Sequence, residues 1–129
     1  MSPLSVLGLG MDLVDQDRIA KSYEQFGEKF ALKICTQQEW DYCRGQSNPI
    51  PSLSARFAAK EAVSKALGVG IGSDCELHDI EVVLDERRAP FLILTGAALH
   101  TSQAKGISSW MITLTHSRHA ASAVVIALG

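Results

Sequence analysis

The stretch from Arg56 to Gly72 carries residues that could handle a phosphate and a metal ion. Apolar spacing predicts a helix here whose polar side carries Arg56, Lys60, Glu61, Ser64 and Lys65. Glu61 and Lys65 are four residues apart and so lie next to each other on that side. As an ordinary surface pair they would contribute only about 0.2–0.5 kcal/mol, and a solvated charged face is the alternative interpretation. An aromatic residue within the polar side, Phe57, favours a functional site.

Three glycines follow this helix. Gly68 is expected to end it, and Gly70 and Gly72 are expected to open a flexible loop whose backbone amides could approach a phosphate. Because a glycine run alone is weak evidence, this prediction depends on the neighbouring charged residues.

A second candidate is Asp12, which interrupts an apolar run over residues 6–14. A carboxylate in a buried strand is costly unless a cation or hydrogen bonds compensate it. It could instead accept amides of the following helix, although Asp15 and Asp17 are better placed for that. Together with Glu61, Asp12 predicts a sparse Mg²⁺ site completed by water and substrate oxygens, since His or Cys ligands for zinc are absent nearby.

The third candidate is His116, which follows Thr113-Leu114-Thr115 near the end of the chain. Strand alternation puts both threonines on one face and the histidine at the strand end. Lone histidines are usually structural. At this position His116 could donate to a phosphate or accept a proton near neutral pH.

Composition limits the function classes. The 129-residue chain is 47% apolar with a formal net charge of −2, which predicts one globular domain over residues 1–129 and no nucleic-acid partner. No apolar run approaches the roughly 18 residues of a membrane helix, and a secretory signal is lacking, so we expect a cytoplasmic protein without membrane partners. The three cysteines show no paired metal spacing and are expected to be buried or idle thiols: Cys35, Cys43 and Cys75.

The elements that position these residues follow from apolar spacing and turn residues. One helix is expected to begin after an Asp15 cap, and a second, short helix is expected to end at Lys33. A third is expected after a Thr36–Glu39 capping box and a fourth after a Ser52 cap. In the first helix, Ile19, Tyr23 and Phe26 recur at helical spacing and are predicted to face the core. Strands are predicted at residues 6–14, 80–84, 91–95, 110–115 and 120–128, with a short helix over 97–105. This order predicts a compact α+β domain with an antiparallel sheet packed against helices.

The three candidate segments together resemble a known family. Residues 8–19 (GLGMDLVDQDRI), 56–71 (RFAAKEAVSKALGVGI) and 113–116 (TLTH) are similar, in order, to motifs of the holo-acyl-carrier-protein synthases, the small phosphopantetheinyl transferases. The resemblance runs over nearly the whole chain, and the middle motif is long and specific. Two departures are Val69, where the family commonly has Thr, and Arg88-Ala89, which replaces a Gly before Pro90.

The resemblance implies an activity and a set of site residues. The reaction would be Mg²⁺-dependent transfer of phosphopantetheine from coenzyme A to a serine of apo acyl carrier protein, releasing adenosine 3′,5′-bisphosphate. By matching position, Asp12 and Glu61 would be the metal ligands and Lys65 a phosphate contact. The implied coenzyme A contacts are Arg56, Lys65, Gly68, Gly70 and His116. The general base stays open between Glu61, a metal-associated water and His116, and we favour the first two.

The resemblance also implies partners. Acyl carrier proteins are acidic, so a basic face on the first helix is expected to bind them: Arg18, Lys21 and Gln25. The family's small members form homotrimers with active sites between subunits, which predicts the same assembly here. The alternatives are a non-catalytic module that binds coenzyme A or an adenine nucleotide, and a plain interaction domain, but neither needs both Asp12 and Glu61. Fatty acid and polyketide carriers both stay possible.

Overall fold

The computed structural model describes residues 4–129. It contains five strands, five α-helices and one 3₁₀ turn within that range. In chain order they are β1 (Val6–Asp15), α1 (Gln16–Phe26), α2 (Glu28–Ile34), α3 (Gln37–Arg44), α4 (Ile50–Leu67), a 3₁₀ turn (Leu77–Asp79), β2 (Ile80–Leu84), β3 (Pro90–Leu94), α5 (Gly96–Ala104), β4 (Ser109–His116) and β5 (Ala120–Leu128).

The described strands form two antiparallel sheets. One has three strands in the order β1-β5-β4, and the other is the β2-β3 hairpin. In the larger sheet Asp12 of β1 pairs with Ala123 of the central strand β5. The predicted α+β class and antiparallel pairing are therefore confirmed.

Helix α4 lies directly against the backbone of β1. A Cβ atom added at Gly10 would lie 1.8 Å from the carbonyl oxygen of Ala62, and one at Gly8 would lie 2.5 Å from that of Ala66. Only glycine permits so close an approach. The small residues on both elements thus bring the end of β1, with Asp12, beside the second half of α4.

Most predicted helix ends are confirmed. Asp15 accepts a hydrogen bond from the amide of Asp17 at 2.9 Å, and Thr36 and Glu39 form the expected capping box. Gly68 ends α4 with a left-handed backbone at φ 74°.

Two local predictions are wrong. Helix α4 begins at Ile50 rather than after Ser52, because Pro51 fits in a first helical turn, where its missing amide has no intrahelical partner. Asn48 accepts a hydrogen bond from the Ile50 amide at 3.1 Å. Phe26 is 57% exposed rather than in the core, since it is the last residue of α1 and the chain turns at Gly27.

The two faces of the larger sheet differ in their surroundings. Ala123, Val125 and Ala127 of β5 are buried in the core. The opposite face of the sheet exposes large apolar side chains: Leu9 is 66% exposed, Met11 58%, Leu13 69% and Met111 58%. Large exposed apolar side chains that adjoin one another in this way often mark an interaction surface.

All three cysteines are free and buried, so the predicted burial is confirmed. Among the helices of residues 4–129, none is both long enough and apolar enough to cross a membrane.

Candidate active site

A cavity of about 560 Å³ is bounded by β1, α1, α2 and α4. Asp12 comes from β1 and Glu61 from α4, so the two predicted metal ligands line the same cavity. Arg18 of α1 lines it as well, together with apolar side chains that include Phe57. The position of Phe57 in the cavity wall explains why an aromatic residue lies on the polar side of α4.

Asp12 and Glu61 influence each other electrostatically. Burial raises the pKa of the Glu61 carboxyl, and the negative charge of Asp12 raises it further, whereas Lys65 opposes the shift. Two carboxylates that repel each other in a partly buried site create a position where a cation is stabilised.

Lys65 already bonds to one of these carboxylates. Its Nζ atom donates to Asp12 Oδ1 at 2.9 Å and to the carbonyl oxygen of Met11 at 3.0 Å. The Lys65 side chain is 54% exposed and that of Asp12 17%, so the ammonium group is held at the site and remains open to solvent. A cation in this position can also contact an anionic substrate group.

The donor set fits a sparse magnesium site. Among residues 4–129 no group of three or more His, Cys, Asp or Glu residues could hold a metal ion. Mg²⁺ is commonly held by one or two carboxylates, with water and substrate phosphates as its remaining ligands. Asp12 and Glu61 would supply the protein part of such a site.

Several amides of the glycine-rich loop after α4 form hydrogen bonds within the chain. The Gly68 amide donates to the Lys65 carbonyl, and the amides of Val69 and Gly70 both donate to the Ser64 carbonyl. These bonds satisfy carbonyl groups that the end of α4 leaves without intrahelical partners. These three amides are thus bonded within the chain, and the contact of the glycine-rich loop with a phosphate stays a prediction. The glycines serve the turn, since Gly68 and Gly70 have φ of 74° and 69°.

Arg56 lies apart from the Asp12–Glu61 cavity in this chain. It is only 4% exposed, and its guanidinium lies 4.7 Å from the centre of the Tyr42 ring. Its Nε atom is 3.8 Å from Glu39 Oε2, and it lines a separate hollow of about 170 Å³. The sequence-based placement of Arg56 on an open polar face is wrong, because α4 is buried on most of its circumference.

His116 is also separated from this cavity within one chain. It lies at the exposed end of β4, opposite Ala121 of β5, which in turn pairs with Val14 of β1. Its own hollow, of about 150 Å³, is shared with Leu13 and Ser122.

The predicted carrier-binding residues share the outer side of α1. Arg18, Lys21 and Gln25 are all exposed, and Arg18 also reaches the cavity wall. The structure thus places a basic residue between the cavity and an open helix face.

Sequence reasoning missed the contribution of α2 to the cavity. Phe30, Lys33 and Ile34 line its wall. Their spacing of three and four residues is the available signal, since it places them on one side of a helix. Sequence reasoning also placed Lys60 on the polar face of α4, whereas Lys60 is fully buried against Glu39.

Comparison with known proteins identifies the family. Residues 8–124 match the model of the 4′-phosphopantetheinyl transferase superfamily. The chain belongs to this superfamily.

Named relatives make the family assignment more specific. A holo-[acyl-carrier-protein] synthase of Chlamydia trachomatis serovar D is 44% identical over 122 residues, which cover 95% of this chain and 99% of that protein. The synthase structure from Neisseria meningitidis superposes with a TM-score of 0.88 at 30% identity. The match covers 95% of this chain and 98% of the N. meningitidis chain. The Helicobacter pylori synthase, solved in complex with coenzyme A, gives a TM-score of 0.82 at 31% identity. The match covers 92% of this chain and 98% of the H. pylori chain. The resemblance noted from the motifs is confirmed.

Proposed function

We propose that this phosphopantetheinyl transferase moves the 4′-phosphopantetheine arm of coenzyme A onto a serine of apo acyl carrier protein. The observation that carries the proposal is that Asp12 and Glu61 line one cavity and that Lys65 is bonded to Asp12. The serine oxygen forms a bond to the pantetheine-side phosphorus, the pyrophosphate P–O bond breaks, and adenosine 3′,5′-bisphosphate leaves. The serine proton goes to a base.

The residues present divide the work of this reaction. Phosphoryl transfer depends mainly on positioning and on neutralising charge. Mg²⁺, held by Asp12 and Glu61, would supply charge neutralisation on the pyrophosphate. Lys65 adds a positive charge that can move between Asp12 and a substrate phosphate.

Glu61 is the base that the geometry favours. It lines the cavity, where a carboxylate can accept the serine proton. A water molecule can relay the proton to it. His116 lies outside this cavity in the same chain, so we assign it to donor binding from another subunit.

The carrier protein docks on α1. Arg18, Lys21 and Gln25 form an exposed face next to the cavity, and acidic carriers complement its two positive charges. Arg18→Glu should therefore raise the KM for the carrier and leave the KM for coenzyme A unchanged. An equal rise in both constants would contradict the docking assignment.

The exposed apolar face of the larger sheet supports assembly into a trimer. Leu9, Ile126 and Met111 are neighbours across the three strands. A face of this kind is more often buried between copies of a chain than left in water. His116 lies at one end of the same sheet, so an interface here would bring it towards another subunit's cavity.

Sedimentation tests the assembly. The parental protein should sediment as a trimer, and Met111→Glu should yield monomers with much reduced transfer. Phe91→Glu is the matched control, because Phe91 is an exposed apolar residue of the separate β2-β3 hairpin. A parental monomer at assay concentration would contradict the trimer.

Intact-mass measurement tests the activity itself. Apo carrier protein incubated with the enzyme, coenzyme A and Mg²⁺ should gain the mass of one phosphopantetheine arm. Glu86→Gln, at an exposed carboxylate in the β2-β3 turn, should behave as the parent, whereas Asp12→Asn should lose the activity. No mass gain with any apo carrier would contradict the proposal.

A further inference from the structure

Three charged side chains are buried together on the side of α4 that faces α3 and β2. Glu39 is 2% exposed, Lys60 0% and Arg56 4%. Lys60 Nζ donates to Glu39 Oε1 at 2.6 Å, and Arg56 Nε lies 3.8 Å from Glu39 Oε2. We call these three residues the Glu39 network. It belongs to neither the metal ligands nor the docking face.

The network joins four separate elements. Lys60 of α4 also donates to the carbonyl oxygen of Ile34, the last residue of α2, at 2.6 Å. In α3, Glu39 Oε1 also accepts a hydrogen bond from the Thr36 amide at 3.0 Å, and Oε2 accepts one from the amide of Val82 in β2 at 3.0 Å. Each of these hydrogen bonds involves the Lys60 ammonium or the Glu39 carboxylate, so each is stronger than a bond between neutral groups.

Stability alone does not explain such a network. Replacing a buried ion pair with apolar residues of similar volume is often neutral or stabilising, because burying the charges costs about as much as their attraction returns. What the bonds do provide is a fixed geometry, since charge-assisted bonds are short and directional.

The geometry that they fix is that of the active-site cavity. Ile34 lines the cavity with Phe30 and Lys33 of the same short helix. Lys60 directly precedes Glu61, and successive residues of a helix point about 100° apart. Glu61 therefore points into the cavity, while the neighbouring Lys60 points towards α2 and bonds to Ile34, which forms part of the cavity wall.

We propose that Lys60 is a positioning residue of the transfer reaction, which holds α2 against α4 and so sets the shape of the cavity that receives the substrates. This inference rests on the proposed function. It assigns Lys60 no contact with substrate or metal.

A paired replacement separates positioning from stability. Lys60→Met alone leaves Glu39 buried without its principal partner and is expected to unfold easily. Glu39→Gln combined with Lys60→Met removes the bonded pair of charges and leaves Arg56 as the one buried charge of the network, so its thermal midpoint should lie above that of Glu39→Gln, which leaves two. In this double variant kcat/KM should nevertheless fall at least tenfold, mainly through KM. Mn²⁺ binding, followed by electron paramagnetic resonance, should change less than twofold, because Asp12 and Glu61 are retained. Lys29→Met, at an exposed residue of α2, is the control and should match the parent.

Hydrogen exchange tests the same inference without relying on activity. In the double variant the amides of α2 should exchange at least tenfold faster than in the parent, while those of β4 keep their rates. Unchanged α2 exchange, or parental kcat/KM in the double variant, would overturn the positioning role. Loss of Mn²⁺ affinity in parallel with kcat/KM would also overturn it, because the effect would then act through Glu61. Absence of transfer in the parent would count against the proposed function, whereas the exchange result judges Lys60 by itself.

Discussion

Helix α4 contributes neighbouring residues to two charged clusters that differ in almost every physical respect. The Glu39 network is buried, and both oxygens of its one carboxylate accept strong hydrogen bonds. The cavity cluster consists of Asp12 and Glu61, which line the cavity, and Lys65, which bonds to Asp12. It is partly open, and the charge of Asp12 adds to the cost of ionising Glu61. A cluster whose hydrogen bonds are formed within the protein fixes structure, whereas one that retains unbalanced negative charge can take a cation or a proton.

Removing the carboxylate of the buried cluster should have the largest effect. Glu39→Gln leaves the charges of Lys60 and Arg56 in the core without a counter-charge. Breaking a buried pair in this way costs about 3–5 kcal/mol of the free energy of unfolding. Urea denaturation measures this loss. A change below 1 kcal/mol would mean that Glu39 is not the buried counter-charge of Lys60 and Arg56 described above.

The equivalent change in the cavity cluster should leave the fold intact. Glu61→Gln should lower the transfer rate by roughly 100-fold or more, since it removes both a metal ligand and the favoured base. Its thermal midpoint should not fall, because the folded protein disfavours the charged form of Glu61. Carrier mass gain and a thermal melt report the two quantities. A lower midpoint with retained rate would reverse the roles of the two clusters.

The two clusters also differ in how far the sequence predicts them. Asp12, Glu61 and Lys65 were predicted because a carboxylate in an apolar strand and an i, i+4 charged pair are local signals. The Glu39–Lys60 bond joins residues 21 positions apart, and helical periodicity cannot distinguish a solvated polar face from a polar face buried against other helices. Arg56 was misplaced for the same reason. The capping box at Thr36 was predictable, but the further use of the Glu39 carboxylate to bind Lys60 and Val82 depends on the tertiary fold.

A change in the packing of α4 on β1 should disturb both clusters together. Gly10→Ala places a methyl group where the Ala62 carbonyl lies, so α4 must move away from Asp12. Overpacking of this kind costs about 1–3 kcal/mol, and transfer should fall with it. Gly72→Ala is the matched control, because an added Cβ there meets nothing within 4 Å. Equal behaviour of the two variants in urea denaturation and transfer assays would contradict the close helix–strand contact.

The smallest expected effect is a pH dependence of stability that arises from Glu61. Because the pKa of this carboxyl is raised on folding, its protonation stabilises the folded state. That contribution is present below the ordinary glutamate range and is lost as pH rises through the raised pKa. Thermal midpoints of the parent should therefore fall, relative to those of Glu61→Gln, as pH rises through this window. Parallel curves would show that folding does not raise the pKa of Glu61.

The Mg²⁺ dependence of the transfer rate tests the central claim most directly. We would follow carrier mass gain at increasing Mg²⁺ concentration in the parental protein and in Asp12→Asn. The parental rate should be abolished by a chelator and should saturate with Mg²⁺, whereas Asp12→Asn should need far more metal or show no transfer. A full parental rate in excess chelator, or an unchanged Mg²⁺ curve in Asp12→Asn, would contradict the assignment of this cavity as the metal-dependent transfer site.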